Sequence, residues 1–175
     1  LIDAGSNSAQ EKILTYLQEN QVRELAVVVG THPHEDHIGS LDAVISNYPV
    51  QKVYLPKVVH NTASYENLLQ SIQKQGLKIN SARAGVTFAV DGVEAEFMAP
   101  VREKYEELND YSAVLRLKYG DRVFLLAGDA QLESERDMMA NGRELKADVL
   151  KVGHHGSVSS TAKRFLELVS PQYAI

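Results

Sequence analysis

The chain contains no cysteine. That removes disulfides, thiol nucleophiles and zinc sites built on thiolate, together with any use of cysteine as a catalytic metal ligand. It leaves the compartment open. No stretch approaches twenty consecutive apolar residues, so no segment reads as a membrane-spanning helix. The opening residues Leu1-Ile2-Asp3 carry neither a basic stretch nor a signal-like apolar region. An excess of positive charge is also lacking. The formal net charge of -5 is mildly unfavourable for non-specific nucleic-acid binding. Bound divalent cations would offset part of that charge locally, so a phosphate substrate stays open. Repeats, low-complexity tracts and linkers are missing as well.

What is present suffices for a core. At 175 residues and 44% hydrophobic composition, the chain can bury one without staples, and residues 1–175 read as a single domain. Leu1-Ile2-Asp3 reads as the middle of a strand, and Pro171-Gln172-Tyr173-Ala174-Ile175 stops as a strand begins. The expectation is a fragment of a longer chain.

Hydrophobic periodicity alternates between strand and helix, as a layered mixed α/β (α+β) fold needs. Ser8-Ala9-Gln10-Glu11 matches a capping box ahead of Ile13, Leu14 and Leu17. Residues 25–30 are a valine-rich buried strand. Leu41, Val44, Ile45 and Tyr48 form a helical stripe closed by Pro49, and residues 52–55 a short strand. A helix over 65–75 ends at Gly76. Two hairpins follow, 86–90 with 93–98 around Asp91-Gly92, and 112–119 with 122–127 around Gly120-Asp121. A helix over 132–140, a strand over 148–153, a helix over 161–169 and a last strand complete the chain.

The densest chemistry lies in His32-Pro33-His34-Glu35-Asp36-His37, directly after the 25–30 strand. Half of the chain's six histidines fall in these six residues. Imidazole nitrogen and carboxylate oxygen are ligands that zinc and similar metals accept. Pro33 disfavours helix at His32, so the ligands sit on a turning loop that can aim alternate side chains at two metals. The alternative is a solvated polar loop. Glu35 reads as solvated in either case.

Strand, Thr31 and the spacing H-x-H-x-D-H together resemble the metallo-β-lactamase superfamily of metallohydrolases. Leu1-Ile2-Asp3-Ala4-Gly5 resembles its first motif, Leu125-Leu126-Ala127-Gly128-Asp129 the strand that delivers a bridging aspartate, and Val149 to Ser157 the late histidine motif. The last, with His154-His155-Gly156-Ser157, is similar to the domain of the competence DNA-uptake protein ComEC and its free-standing relatives. The resemblance implies a four-layer αββα sandwich, here lacking its first strands and its last C-terminal strands. It implies two divalent metal ions, Zn2+ or Mn2+. His32 and His34 would hold one, Asp36 and His37 the other, with Asp129 bridging. Asp3 would orient the histidine loop by hydrogen bonding. Without the resemblance, Asp3 belongs to an ordinary turn and Asp129 is a helix cap.

His154 and His155 follow a strand, where neighbouring side chains point to opposite sides. One should close the second metal site, and His154 is favoured. The other, His155, should touch substrate or give a proton to the leaving group. The family's third histidine is absent. Asn109-Asp110-Tyr111-Ser112 stands in its place, so Asp110 or Asn109 would supply an oxygen ligand more tolerant of manganese, or both merely cap the loop. His60 reads as a surface-loop residue. Lys151 faces substrate or surface.

Gly153 to Thr161, rich in glycine and hydroxyls, would open a helix and seat a phosphate oxygen, with Ser157 touching substrate. The same residues are equally ordinary caps. The expected function is a divalent-metal-dependent hydrolase, a phosphodiesterase or nuclease working through a metal-bridging hydroxide, with Asp36, Asp129 and His155 as its catalytic residues. Single-stranded DNA is the candidate substrate. The alternatives are hydrolysis of another ester or lactam, a choline or lipid phosphoester included, and a non-catalytic, metal-stabilised DNA-handling module. The resemblance favours an extracytoplasmic or secreted setting.

Overall fold

A computed structural model describes residues 1–175. They form two compact units, Leu1–Ser81 and Ala82–Ile175.

The first unit is a parallel three-stranded sheet with helices. Its elements are α1 (Gln10–Glu19), β1 (Leu25–Val29), α2 (Glu35–Ile38), α3 (Leu41–Asn47), β2 (Val50–Leu55), α4 (Ala63–Lys74) and β3 (Ile79–Ser81). The strand order is β1-β2-β3, and both pairings are parallel. The valine-rich run of β1 is buried at four of its five positions, the near-continuous pattern of a parallel strand. Leu41, Val44 and Ile45 of α3 and Leu68 and Ile72 of α4 recur at helical spacing. They pack in one cluster with Val28, Val53 and Leu55.

Two details depart from the sequence expectation. The capping box does not form. Ser8 lies in a 3-10 turn, Asn7–Ala9, that leads into α1, and its hydroxyl meets that of Ser6 at 2.8 Å. The turn pairs the N–H groups of Ala9 and Gln10 with the carbonyls of Ser6 and Asn7. The strand β3 carries only Ile79 as an apolar residue, and that residue is exposed, so no alternation announces it.

The second unit contains β4 (Thr87–Val90), β5 (Val93–Phe97), β6 (Leu115–Tyr119), β7 (Arg122–Leu126), α5 (Leu132–Ala140), β8 (Val149–Lys151), α6 (Lys163–Val169) and β9 (Tyr173–Ala174). They make a six-stranded sheet in chain order, antiparallel from β4 to β7 and parallel from β7 to β9. Met138 of α5 and Phe165 and Val169 of α6 pack with Leu125 and Leu150 of the sheet. Both expected hairpins form. Asp91 and Gly92 are each left-handed, at φ 47 and 81, as a type I′ turn requires.

Pairing fixes the polarity of this sheet. Tyr119 lies opposite both Val93 and Arg122, so the two hairpin turns share one end. The segments after β7 and β8, and the 3-10 turn Leu108–Tyr111 before β6, lie at the other end, where Leu115 pairs with Leu126.

Candidate metal centre

In the first unit, β1 delivers the histidine loop at its carboxyl end. Ile2 bridges Val29 in parallel, which brings Asp3 alongside. Asp3 is left-handed, at φ 55, and its carboxylate is fully engaged. Oδ1 accepts the Thr31 N–H at 2.8 Å and Oδ2 the Thr31 hydroxyl at 2.8 Å. Oδ2 also lies 2.7 Å from His37 Nδ1. With Nδ1 on a carboxylate, Nε2 is the nitrogen of His37 that could take a metal, and carboxylates commonly orient imidazoles in this way. The Thr31 hydroxyl also stands 3.1 Å from His32 Nδ1.

His32 Nε2 and His34 Nδ1 face each other at 3.0 Å. Two nitrogens on one tetrahedral zinc lie roughly 3.3 Å apart, so this pair is nearly spaced for a single ion. Ligand atoms of His32 and His37 fall within 4.8 Å of one another. His32 and His37 are buried, at 1% and 4% exposure. The Asp36 side chain is exposed, its Oδ2 3.8 Å from His37 Nε2. Glu35 is not simply solvated, because its Oε1 accepts the Asn7 N–H at 2.6 Å. His60 reaches further than a surface-loop reading implies: its ring stands edge-on to that of His34, centroids 6.3 Å apart. Glycine at 39 is a packing requirement, since a Cβ there would lie 2.5 Å from the Asn7 nitrogen.

In the second unit Asp129 follows β7 and is buried. Its backbone N–H donates to Ser112 Oγ at 3.0 Å, and its Oδ2 lies 3.3 Å from His155 Nε2. His154 has different neighbours: Nδ1 meets Ser159 Oγ at 2.9 Å and Gln131 Nε2 at 3.0 Å, while Nε2 lies 3.3 Å from Asn109 Nδ2. The two histidines diverge, but not through strand geometry. They sit in a 3-10 turn, His154–Gly156, and both are left-handed, at φ 44 and 52. The imidazole beside Asp129 is thus His155.

Asp110 and Asn109 divide their tasks. Asp110 Oδ1 accepts the N–H groups of Gln131 and Ser134 at 3.0 and 3.1 Å, so it caps the start of α5. Burial pushes its carboxyl up, against those two hydrogen bonds. Asn109, by contrast, has a buried Oδ1 without a hydrogen-bond partner, and buried amide oxygens seldom go unpaired. An oxygen donor is on offer at the position where the family places its missing histidine.

The helix start expected over Gly153–Thr161 lies further along the chain. α6 starts only at Lys163, and the N–H groups of Thr161 and Ala162 donate to Glu135. Ser157 Oγ instead meets Ser159 Oγ at 3.1 Å. Lys151 turns inward, its Nζ donating to the carbonyls of Gly128 at 3.1 Å and Val152 at 3.3 Å. A Cβ at Gly153 would come within 2.4 Å of the Ala130 carbonyl oxygen, so glycine there lets the histidine turn close on the β7 loop.

Imidazole nitrogens in the first unit and, in the second, a carboxylate, two imidazoles and the Asn109 Oδ1 are each donor types that divalent cations accept. The family model for the metallo-β-lactamase superfamily matches residues 1–175. The chain belongs to that superfamily. Among its relatives is ComE operon protein 3 of Bacillus subtilis, 30% identical over 96% of this chain and 22% of its own length. Competence protein ComA of Neisseria gonorrhoeae is 31% identical over 100% of this chain and 23% of its own length. The chain thus spans about a fifth of these competence proteins. Among solved structures, a diphosphatase of the PhnP family superposes with a TM-score of 0.53 at 15% identity, over 99% of this chain and 65% of that one. The metallo-β-lactamase fold is generally hydrolytic and usually binds two divalent metals, and candidate His and Asp ligands for them are present.

The sequence reading gave Thr31, Ser112, Gln131 and Ser159 no individual role. Each is an ordinary polar residue next to a motif, and only its tertiary partner marks it. For Thr31 a signal existed, because a hydroxyl between a buried strand and a histidine loop needs an acceptor.

Proposed function

We propose that the chain is a divalent-metal-dependent phosphodiesterase, with single-stranded DNA as the candidate substrate. In the first unit His32, His34, Asp36 and His37 are the proposed ligands; in the second they are Asp129, a histidine of the His154-His155 pair and Asn109. Bound there, divalent ions would lower the pKa of a water towards neutrality and stabilise charge on phosphoryl oxygens. The chain's own residues do the rest. Asp3 fixes the His37 ring and, through Thr31, the start of the loop. His155, whose side chain is 60% exposed beside Asp129, is placed to hand a proton to a leaving oxygen. Ser157 supplies a hydroxyl for a substrate oxygen.

The observation that carries this reading is the Asp3–His37 contact, because a carboxylate spent on orienting an imidazole makes sense when that ring ligates. The phosphodiester preference draws support from the competence relatives and from the diphosphatase that shares the fold.

The test is cleavage of single-stranded DNA and of bis(p-nitrophenyl) phosphate with Zn2+ or Mn2+, wild type beside Asp129→Ala. Wild-type cleavage of both, lost in a folded Asp129→Ala, is the expected result. Activity on the small ester alone moves the substrate towards small or lipid-linked phosphoesters. Silence on both with metal bound sinks the phosphodiesterase reading and leaves a non-catalytic module or another bond.

A further inference from the structure

We infer that Glu135 is a positioning residue that holds the His154–His155 corner in its left-handed backbone. Left-handed φ is disfavoured wherever a Cβ is present, most of all for a β-branched residue. Yet His154, His155 and Thr161 all adopt it, at φ 44, 52 and 56. Something outside the loop must hold it there.

Glu135 is the one buried carboxylate among the outside groups that hold it; the others include the Gly128 carbonyl, which accepts the His154 N–H at 3.2 Å, and the Leu132 N–H on Ser159. Glu135 sits on α5, 2% exposed, and both carboxylate oxygens face the loop. Oε1 accepts the N–H of Thr161, and Oε2 accepts that of Ala162 at 2.9 Å. Thr161 precedes α6 and Ala162 is its N-cap residue, so the carboxylate fastens the loop where it enters the helix. Within the loop, Ser160 Oγ donates to the Gly153 carbonyl at 2.7 Å and the Ser157 carbonyl at 3.1 Å. The Gly153 N–H donates to Thr161 Oγ1 at 3.3 Å. The neck from Gly153 to Thr161 is therefore closed on itself and clipped to α5 at two points, by Glu135 and by the Leu132 N–H, which donates to the Ser159 carbonyl at 3.1 Å. Burying a carboxylate is costly, and burial pushes the Glu135 carboxyl up against the pull of those two N–H donors. An apolar residue would serve α5 better if packing were all that mattered at this position.

The value of holding the corner rests on the metal reading above, but the conformational claim does not. The test uses the 175-residue chain in four forms besides wild type: Glu135→Gln, Thr161→Asn, the double variant, and Met138→Ala. Met138→Ala destabilises α5 from its buried face without removing a hydrogen bond to the loop. In metal-free protein, Glu135→Gln should speed amide exchange at Thr161 and Ala162 and shift the His154 and His155 amide resonances. Zn2+ affinity by calorimetry should fall roughly tenfold, as when an outer partner of a ligand is lost. Asparagine tolerates the left-handed region, so adding Thr161→Asn should recover much of that loss.

Unmoved His154 and His155 resonances in Glu135→Gln overturn the inference. So do the same shifts in Met138→Ala at an equal fall in Tm. Should Glu135→Gln not fold, Glu135→Asp, with its shorter reach, is read by the same criteria. A wild type that binds no Zn2+ would refute the metal reading, while the metal-free resonances still decide the role of Glu135.

Discussion

Three donors converge on the two carboxylate oxygens of Asp3: the Thr31 N–H, the Thr31 hydroxyl and the His37 imidazole. Replacing Asp3 with alanine removes the acceptor that all three share and lets the His37 ring turn. Asp3→Ala should therefore weaken Zn2+ binding by roughly 10–100-fold, measured by calorimetry on protein whose circular dichroism is unchanged. Wild-type affinity would show that the ring is held by other means. At this scale the histidine loop was legible because three imidazoles in six residues need no tertiary information. Asp3 was legible only through resemblance, since Asp-Ala-Gly alone is also a turn. The backbone of His154 and His155 was hidden. A strand signal ran up to Gly153, and nothing local announces two consecutive left-handed residues.

Among the elements, α5 does more than pack. Its start is capped from a distance by Asp110, and its Glu135 fastens the loop before α6. Asp110→Asn keeps an oxygen acceptor for Gln131 and Ser134, whereas Asp110→Ala removes it. The alanine variant should lose about 1–2 kcal/mol of stability, the cost of a lost N-cap, while the asparagine variant stays near wild type in denaturant melts. Zn2+ affinity should survive in Asp110→Asn, and its loss would return Asp110 to the ligands.

Glu135 gives a pH signature. Burial raises its folded-state pKa, so the folded protein holds the proton more tightly than the unfolded chain does. That contribution is complete below the ordinary glutamate range and is lost as pH climbs through the raised folded value. Across that window, Tm should fall more steeply with pH in wild type than in Glu135→Gln, and parallel curves would contradict the assignment. Helices and hairpins were readable from period and turn chemistry. The box at Ser8 and the strand at Ile79 were not, because a preceding 3-10 turn and a tertiary pairing decided them.

For the molecule as a whole, ligand binding should show up as stability. Metal that binds the folded chain and not the unfolded one raises Tm, by about 2.7 kcal/mol of stabilisation at a hundredfold excess over Kd. Dialysis against a chelator followed by Zn2+ or Mn2+ titration in a thermal melt should show that rise in wild type and a smaller one in Asp129→Ala. Equal shifts in both would place the metal elsewhere. Family membership was legible across the whole chain, since its motifs fall in order. The partition into two compact units was not, because no linker or change of composition marks residue 81.

The polarity of the six-stranded sheet has a practical consequence for anyone building on this scaffold. Asp129, Asn109 and the His154–His155 corner gather at one end of the strands, while Asp91-Gly92 and Gly120-Asp121 turn at the other. The chain re-enters β8 from that far end too, after the exposed left-handed Gly142. Asn141-Gly142 is thus a natural port for a fluorophore, a tether or a grafted peptide. An insert there should leave Zn2+ titration curves superimposable on those of the parent, giving a handle on the protein that does not disturb its chemistry.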